Sequence, residues 1–454
     1  MELALPRIEG RRMPAELRAI GHWLLCWILL PNLAYWLMWI VGGPPRPLAV
    51  LVAGAAGIIT HRAPFWAKYA AFVASMLVSA VLFVSTLFNL SVLSLMSSLK
   101  FAGELSPSAS IEYAVWGLAS AATLFAAWKL LRTQPPLGRP VLLATAGCAT
   151  FLAASLDAKV GDGGRGSYSR TPTAGAPFTS AVKESGLARL ATGKRHVLMV
   201  MVEAMGQPTD AAVRRRLVDI WARPEVRARY TVTTGDTLFY GSTTNGEMRE
   251  LCGRWGDYGA VMERRDPSCL PAAMEAKGYR AQAWHSFSGS FFSRTSWYPN
   301  VGFSHLRFGP DLMKAGAERC PGVFPGACDR DVPRQIAAEL KAAETPQFLY
   351  WLTVNSHLPV LSSEKLGTTE CERFDARLAA DFPMTCRLLQ LFDDSGRALA
   401  KEISADDFPE ADILIVGDHL PPFFDRRNRE RFEPDRVPWI LLRRKAPAES
   451  SAAH

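Results

Sequence analysis

Long apolar runs are concentrated in the first third of the chain, and five of them are candidate membrane-spanning helices. Each comes near the roughly 20 residues that a bilayer core requires, although the second is short and rich in glycine and alanine. The predicted spans are residues 22–41, 47–60, 66–90, 111–131 and 140–156. Residues 1–157 are therefore predicted to form a transmembrane domain, and the first span is interpreted as a retained anchor, not a signal peptide.

Basic residues flank these spans unevenly, and this asymmetry predicts an orientation. One side carries most of them, whereas the opposite loops carry only Arg46 and Lys100. The basic residues of the first side are Arg7, Arg11, Arg12, Arg18, His61, Arg62, Lys68, Lys129, Arg132 and Arg139. Because the basic side is expected to face the cytoplasm, five spans would put everything after residue 156 outside the cytoplasm.

After residue 157 the pattern becomes that of an α/β domain. Residues 158–194 are rich in Gly, Ser, Thr and Pro and are predicted to be a linker. From residue 195 to 454, helical patterns alternate with apolar runs such as RHVLMVMVEAM, PQFLYWLTVNSHLPV and ADILIVGDHLPP. Such runs are typical of buried parallel strands, so we expect a mainly parallel sheet flanked by helices.

The cysteines indicate an oxidising compartment. Cys26 and Cys148 fall in predicted spans, whereas the other six of the eight lie in the C-terminal domain as neighbouring couples. These couples are Cys252 with Cys269, Cys320 with Cys328 and Cys371 with Cys386. An even, locally paired set favours disulfides, and the alternative of zinc binding expects C-x-x-C spacing, which is absent. The net charge of +8 arises partly from the cytoplasmic flank, and no nucleic-acid partner is predicted.

Three predicted strands end in side chains that can bind metal or phosphate: Glu203, His357 and the pair Asp418–His419. Such ends meet at the functional edge of an open α/β sheet. Carboxylates and imidazole suit zinc or manganese, and GSTTNGE offers a nucleophilic hydroxyl next to a helix N-terminus. Taken alone, each group has a simpler interpretation as a loop residue, a helix cap or a turn. Their combination favours a metal-assisted site.

Together these motifs resemble the alkaline phosphatase superfamily. The motifs are a strand ending in Glu203, G-S-T-T-x-x-E from Gly241, G-Y-x-x-x-x-x-H ending at His285, S-H-x-P around His357 and G-D-H-L-P-P from Gly417. They are most similar to its membrane-anchored branch, which contains lipoteichoic acid synthase, phosphoglycerol transferases of osmoregulated glucans and phosphoethanolamine transferases of lipid A. The resemblance implies a multi-pass protein of the bacterial inner membrane, with an alkaline phosphatase-like domain on the periplasmic, extracytoplasmic side.

The resemblance also implies roles for individual residues. A divalent metal ion, Zn or Mn, would be bound by Glu203, Thr243, Asp418 and His419, and the transferred phosphoryl group would be contacted by His285, Arg294 and His357. Thr243 is the implied nucleophile when the motif is aligned on Glu247, whereas the phosphoethanolamine branch favours Thr244. Phe287 replaces an acid of the glycerol-phosphate pocket and Phe292 replaces a tryptophan, which leaves the headgroup open.

The implied activity is transfer of a phospholipid headgroup, with phosphoglycerol favoured, to an extracytoplasmic glycan or glycolipid through a phospho-threonine intermediate. The alternatives are phosphoethanolamine transfer, water as the acceptor, and a non-catalytic relative that binds or senses lipid. Sulfate-ester hydrolysis through formylglycine is not expected, because CGRWG at Cys252 lacks the proline of the C/S-x-P-x-R sequence.

Overall fold

The computed structural model describes residues 14–41, 45–87, 92, 111–163, 172, 175, 177–423 and 426–446. The chain divides into two compact units. The first comprises Met1–Phe83 and Val115–Gly164, and the second comprises Val84–Ala114 and Arg165–His454.

The first unit is helical. Its helices are α1 (Ala15–Leu37), α2 (Pro47–Ile59), α3 (Phe65–Leu87), α4 (Ile111–Arg132) and α5 (Pro140–Gly163). Four of the helices in the described part of the chain are long and apolar enough to cross a membrane. The exception, α2, has 13 residues and is shorter than the roughly 20 needed. The predicted count of five spans is therefore not confirmed.

A buried polar network lies inside this helical unit. The backbone N–H of Arg46 donates to Asp157, whose other oxygen accepts from Trp36 Nε1 at 3.0 Å. The guanidinium of Arg46 donates to Ser79 Oγ at 2.5 Å and to Asn32 Oδ1 at 3.2 Å. Polar groups among apolar helices need internal partners, and here both Arg46 and Asp157 have them.

The second unit is built on a seven-stranded sheet. Its strands are β1 (His196–Val202), β2 (Tyr230–Leu238), β3 (Arg280–His285), β4 (His305–Phe308), β7 (Gln347–Leu352), β8 (Ala411–Gly417) and β9 (Arg436–Arg444), while β5 (Arg319–Cys320) and β6 (Gly326–Ala327) form a separate pair. The order is β2-β9-β8-β1-β7-β3-β4, and β9 alone runs against its neighbours β8 and β2. The mainly parallel sheet agrees with the sequence-based prediction.

Helices pack on this sheet. They are α6 (Ala181–Ser185), α7 (Leu187–Leu190), α8 (Ala211–Asp219), α9 (Pro224–Arg229), α10 (Thr243–Cys252), α11 (Leu270–Ala276), α12 (Arg294–Val301), α13 (Gly309–Lys314), α14 (Val332–Ala342), α15 (Ala376–Asp381), α16 (Pro383–Ser404) and α17 (Arg426–Arg429). The central strands β1, β7 and β8 are buried almost throughout, as expected for a sheet covered on both faces. Within the predicted linker, residues 158–163 continue α5, and α6 and α7 are short helices.

Three disulfides fasten this unit, and they are the couples that the sequence indicates. Cys252–Cys269 joins the end of α10 to the residue before α11. Cys320–Cys328 and Cys371–Cys386 close two further local loops. The prediction of disulfides is confirmed, whereas Cys26 and Cys148 are free thiols in the helical unit.

Candidate functional site

The candidate metal ligands meet where two adjacent parallel strands end. Val202 and Gly417 lie opposite each other at the ends of β1 and β8, so the next residues, Glu203 and Asp418, leave the sheet side by side. His419 Nε2 lies 3.3 Å from Glu203 Oε1 and 3.2 Å from Asp418 Oδ2. The ligand atoms of the three buried side chains all lie within 4.8 Å of one another. We call Glu203, Asp418 and His419 the ligand cluster.

Thr243 contacts this cluster from the first turn of α10. Its Oγ1 donates a hydrogen bond to Glu203 Oε2 at 3.0 Å and lies 3.2 Å from His419 Nε2. The side chain is half-buried, so it remains accessible. Thr244 is fully buried, and its Oγ1 has no hydrogen-bond partner among the described residues. Of the two candidate nucleophiles, Thr243 is the one whose hydroxyl lies against the cluster.

Backbone contacts fix the two carboxylates. The N–H of Glu203 donates to Thr353 Oγ1 at 2.9 Å, and Ser356 Oγ donates to the Glu203 carbonyl at 2.6 Å. The N–H of Ala204 donates to Asp418 Oδ1 at 2.8 Å. Ala204 has a φ of 55°, a left-handed conformation that is costly for a residue with a Cβ. That conformation turns the chain after β1 and directs this N–H towards Asp418.

A buried arginine that sequence reasoning missed holds the second strand end. Arg249, on α10, donates from Nη2 to the Gly417 carbonyl at 2.8 Å and from Nη1 to the Asp418 carbonyl at 3.1 Å. Its Nε pairs with Glu250 at 2.6 Å. Gly246 permits the close approach of α10, because a Cβ there would meet the Asp418 backbone at 3.0 Å. The sequence carries no signal for Arg249, since charged helix residues usually face solvent.

Charge is distributed unequally in the cluster. Burial alone would raise the pKa of Glu203, but the hydrogen bond and charge of His419 outweigh it and lower the pKa to about 2. For Asp418, burial and the nearby charge of Glu203 raise the pKa to about 8. For His419, burial is outweighed by the charges of Asp418 and Glu203, which raise its pKa to about 9. Two carboxylates this close retain a proton between them unless another cation replaces it.

The cluster fits a divalent cation. Glu203 Oε1 and Asp418 Oδ2 are buried and meet none of the described residues in a well-aligned hydrogen bond, although both lie against His419 Nε2. The other ring nitrogen of His419, Nδ1, lies 2.8 Å from the Leu420 carbonyl. A carbonyl only accepts, so Nδ1 carries a hydrogen and Nε2 faces the carboxylates. Nε2 holds a proton between them in the metal-free protein and would offer its lone pair to a cation that replaces this proton, which is the usual arrangement of a metal-binding histidine. Two carboxylates and one imidazole suit zinc or manganese.

His285 and His357 are held in the same tautomer as His419. His285 ends β3, and its Nδ1 lies 3.1 Å from the Leu352 carbonyl, while His357 Nδ1 lies 2.8 Å from the Leu358 carbonyl. Both therefore present Nε2 as an acceptor. Burial and the charge of Arg294 lower the pKa of His285 to about 3, and burial also lowers the pKa of His357. Both imidazoles are neutral at pH 7.

Arg294 is engaged with an acid. Its guanidinium, 2% exposed, donates to Glu247 Oε2 at 2.8 Å and to the Phe291 carbonyl at 3.3 Å. Tyr350 OH also donates to Glu247, at 3.2 Å, and Tyr298 completes the carboxylate's contacts. Among the described residues, Arg294 makes no hydrogen bond to the ligand cluster. Its predicted contact with phosphate therefore stays a prediction, and Glu247 is a buried partner that the sequence did not indicate.

Phenylalanine side chains surround the two histidines. The ring of Phe324 lies 4.2 Å from that of His357, and Phe287 lies 6.3 Å from His285. Phe287 and Phe291 both contact Phe324, at centroid distances of 5.4 and 5.1 Å. The side of the site beside the histidines is therefore an aromatic wall, formed by Phe287, Phe291 and Phe324.

Comparison with known proteins reveals relatives of this domain. The sulfatase family matches residues 226–450, which include every predicted site residue except Glu203. A putative cyclic beta-1,2-glucan modification protein from Rhizobium meliloti (strain 1021) is 27% identical over 246 residues, covering 51% of this chain and 36% of the relative. The chain thus spans about a third of the length of that relative.

Solved structures give weaker matches. Lipooligosaccharide phosphoethanolamine transferase A from Neisseria meningitidis matches with a TM-score of 0.47 and 13% identity, covering 87% of this chain and 81% of that one. The lipoteichoic acid synthase LtaP from Listeria monocytogenes matches with a TM-score of 0.42 and 15% identity, and the match covers 55% of this chain and 66% of that one. The part of the chain that carries most of the sheet, together with Asp418 and His419 of the ligand cluster, is thus the part that matches the sulfatase family.

Proposed function

We propose that the protein is a metal-dependent transferase that moves the headgroup of a membrane phospholipid to an extracytoplasmic glycan or glycolipid. The observation that carries this proposal is the contact of Thr243 Oγ1 with Glu203 and His419, at 3.0 and 3.2 Å. A hydroxyl at the N-terminus of a helix, against two buried carboxylates and an imidazole, suits nucleophilic attack on phosphorus. A divalent cation held by Glu203, Asp418 and His419 would lower the pKa of such a hydroxyl and stabilise phosphoryl oxygens.

The reaction proceeds in two displacements. Thr243 Oγ1 forms a bond to the phosphorus of the donor lipid as the bond from phosphorus to the diacylglycerol oxygen breaks. The threonine proton goes to the departing diacylglycerol oxygen. A hydroxyl of the acceptor then attacks the phospho-threonine and loses its proton, and Thr243 regains one as its bond to phosphorus breaks. The net result is one headgroup transferred and one diacylglycerol released.

The two neutral histidines suit the proton transfers. Because Nδ1 of His285 and of His357 faces a carbonyl, Nε2 of each is free to accept a proton from an attacking hydroxyl and return it to a leaving oxygen. His357 is the more accessible of the two, since it is half-buried and His285 is 4% exposed. We therefore assign the principal acid–base role to His357. Arg294 would stabilise the phosphoryl oxygens through its guanidinium.

An extracytoplasmic location is supported by the disulfides and not by the span count. Three disulfides in the second unit suit an oxidising compartment. Four helices can cross a membrane by length and composition, and an even number would return the chain to the side on which it started. The proposal therefore requires that α2 also crosses, or that the N-terminus lies outside.

Phosphoglycerol is the headgroup that we favour. The sequence Gly417–Pro422, GDHLPP, is similar to the phosphoglycerol branch, and the Rhizobium meliloti relative is named as a glucan modification protein. A glucan is accordingly the first acceptor to test.

Phosphoethanolamine is the second candidate, and a specific observation favours it. Phe287, Phe291 and Phe324 form the wall beside His285 and His357. Aromatic rings attract an ammonium group, whereas they offer no hydrogen bonds to the hydroxyls of glycerol.

Mass spectrometry of the full-length protein tests the proposal. The protein, loaded with Zn²⁺ or Mn²⁺ in nanodiscs, would be incubated with phosphatidylglycerol or with phosphatidylethanolamine. We expect an adduct on the peptide that contains Thr243, and its added mass identifies the headgroup. Thr243→Ala should abolish the adduct and lower turnover by about 10³-fold or more, as for other nucleophile deletions.

Thr244→Ala is the matched control, because it removes the neighbouring hydroxyl from the same helical turn. It should retain the adduct. Transfer of the adduct to Thr244, or an adduct that persists in Thr243→Ala, would contradict the assignment of the nucleophile. If the protein binds the donor lipid tightly but carries no adduct with either donor, the non-catalytic alternative would be favoured.

A further inference from the structure

A large cavity lies in the second unit, between the sheet and two helices. Its volume is about 410 Å³, and residues of β1, β8 and β9 line it together with residues of α8 and α16. Native interiors contain few voids larger than a water molecule. A volume of this size is instead within the range of about 300–1,000 Å³ that small-molecule sites have.

The cavity exists because α8 does not pack closely on the sheet. None of its residues is fully buried, and its apolar side chain Leu217, which lines the cavity, is only partly covered. A helix that covers a sheet normally inserts an apolar stripe into it. Here the space that such side chains would fill is open, so an apolar ligand would cover the apolar surfaces of both the helix and the sheet.

The walls are predominantly hydrocarbon and aromatic. They include Val200, Val202, Trp351, Phe392, Leu399 and Ile415, which the sheet and α16 contribute. Such a lining gives an apolar ligand its binding free energy through the surface removed from water. It provides few hydrogen-bonding groups for a sugar or a nucleotide.

Charged groups are confined to the part of the lining formed by α8 and β2. Asp236 is ion-paired with Arg436, and Arg214 donates to the Pro208 carbonyl at 2.9 Å and lies 3.6 Å from Glu433. Arg215 is exposed and has no hydrogen bond or ion pair with any described residue, and Asp219 follows one turn later. Arg215 is therefore the group that is available to an anion.

We propose that this cavity binds a long-chain fatty acid, with the hydrocarbon chain against the apolar walls and the carboxylate at Arg215. The same chain carries helices that are long and apolar enough to cross a membrane, and a membrane that holds them would supply acyl chains. Neither the chemistry at Thr243 nor the choice of headgroup is needed for this inference.

The cavity also adjoins the support of the ligand cluster. Val202 and Met205 line it and stand on either side of Glu203 in sequence, and Thr353, which also lines it, accepts the Glu203 N–H. A bound acyl chain would contact the residues that hold one of the candidate metal ligands.

Photocrosslinking tests the proposal. The full-length protein in nanodiscs would be exposed to a palmitic acid analogue that carries a diazirine, and the labelled peptides would be identified by mass spectrometry. We expect label in the α8 and α16 segments, and excess palmitic acid should compete with it. Label confined to α1–α5, or label in α8 and α16 that palmitic acid does not displace, would overturn the proposal.

Variants separate the cavity from general adsorption. Ser395→Phe places a ring in the cavity and should reduce labelling by about tenfold, equivalent to about 1.4 kcal/mol. Val213→Phe makes the same kind of change on α8 at a position that does not line the cavity, and should label normally. If Ser395→Phe does not fold by circular dichroism, Val218→Trp replaces it. Undiminished labelling in the folded cavity variant would refute the site.

The carboxylate contact has its own test. Arg215→Glu should weaken labelling by the fatty acid but not by the corresponding long-chain alcohol, which has no charge. Equal loss with both probes would contradict the role of Arg215. Thr243→Ala should label as the wild type does, so a failure of the proposed transferase chemistry and a failure of the fatty-acid site give different results.

Discussion

The two units of the protein bury ionisable groups in opposite ways. In the helical unit, Asp157 accepts hydrogen bonds from the Arg46 backbone and from Trp36, and the guanidinium of Arg46 donates to Ser79 and Asn32. In the α/β unit, Glu203 and Asp418 are also buried, yet each has a carboxylate oxygen that lies against His419 Nε2 without a well-aligned hydrogen bond to any described residue.

This difference separates a structural network from a binding site. A buried polar group without a partner costs free energy, about 1–3 kcal/mol and more when it is charged. In a polar network that only stabilises a fold, nearly every buried polar group is therefore expected to have a hydrogen-bond partner. Two carboxylates whose remaining oxygens face only one imidazole nitrogen suit an additional cation, as the proposed function requires. The predictions that follow test this distinction.

The largest expected effect is stabilisation by metal. At a free Zn²⁺ or Mn²⁺ concentration about 1,000 times the dissociation constant, the free energy of unfolding should rise by about 4 kcal/mol. Asp418→Asn should remove this gain, because an amide is a poor ligand beside Glu203. Thermal unfolding of the full chain in nanodiscs, with metal and with a chelator, measures the effect.

Glu318→Gln provides the control for metal binding. Glu318 lies in a second acidic group, with Asp331 and Cys328, but Cys328 is in a disulfide and cannot be a thiolate ligand. This variant should keep the full metal-dependent gain. If the wild-type protein unfolds at the same temperature with metal and with chelator, the interpretation of the ligand cluster as a metal site would be refuted.

A second expected effect concerns Asp329, a buried carboxylate without an ion-pair partner among the described residues. It accepts from the Val354 and Asn355 N–H groups at 3.0 and 2.7 Å, yet burial raises its pKa from 3.8 to about 6. The folded state thus binds a proton more tightly than the unfolded state. Stability from this group is present at low pH and is lost as the pH rises.

Between about pH 4 and pH 7 the metal-free protein should lose about 3 kcal/mol through Asp329. Asp329→Asn lacks this contribution, so its stability relative to the wild type should increase with pH over the same interval. Denaturant unfolding of both proteins across this range provides the measurement. Parallel pH profiles would show that Asp329 is ionised normally in the folded protein.

The smallest expected effect compares the two regions directly. Asp157→Asn should destabilise the protein by about 1–3 kcal/mol, because a carboxylate oxygen that accepts a hydrogen bond becomes an amide donor. Asp418→Asn, measured without metal at pH 7, should cost less than about 0.5 kcal/mol, because burial and the charge of Glu203 raise the pKa of Asp418 to about 8 and the side chain is therefore already largely neutral. Thermal unfolding in chelator compares the two. An equal cost at both positions would count against the distinction.

Much of the α/β unit was predictable because its strands are continuous apolar runs that end in polar residues. The ends of β1 and β8 lie where RHVLMVMVEAM and ADILIVGDHLPP indicate, so the meeting of Glu203 with Asp418 and His419 followed from parallel pairing. The disulfide couples followed from local spacing. Thr243 and Thr244 could not be distinguished by sequence, because only the helical rotation of α10 directs one hydroxyl towards the cluster.

Other features depend on contacts that leave no trace in local sequence. The partner of Arg294 is Glu247, 47 positions earlier in the chain, and Arg249 bonds carbonyls of residues that lie 168 and 169 positions away. Both arginines are buried, whereas charged residues are usually expected at the surface. The count of five spans is not confirmed, since the apolar run 47–60 forms a helix of only 13 residues.

The hydrogen bonds from Arg249 to the carbonyls of Gly417 and Asp418 connect α10 to the end of β8. Thr243 is the first residue of α10 and Arg249 is the seventh, so a tilt of this helix would also displace Asp418 and His419. Fluctuations of the domain should therefore alter the separation of Thr243 and His419 less than they alter the separation of either from the histidine at the end of β3. We therefore expect the side of the site that holds Thr243 and His419 to be less flexible than the side that holds His285.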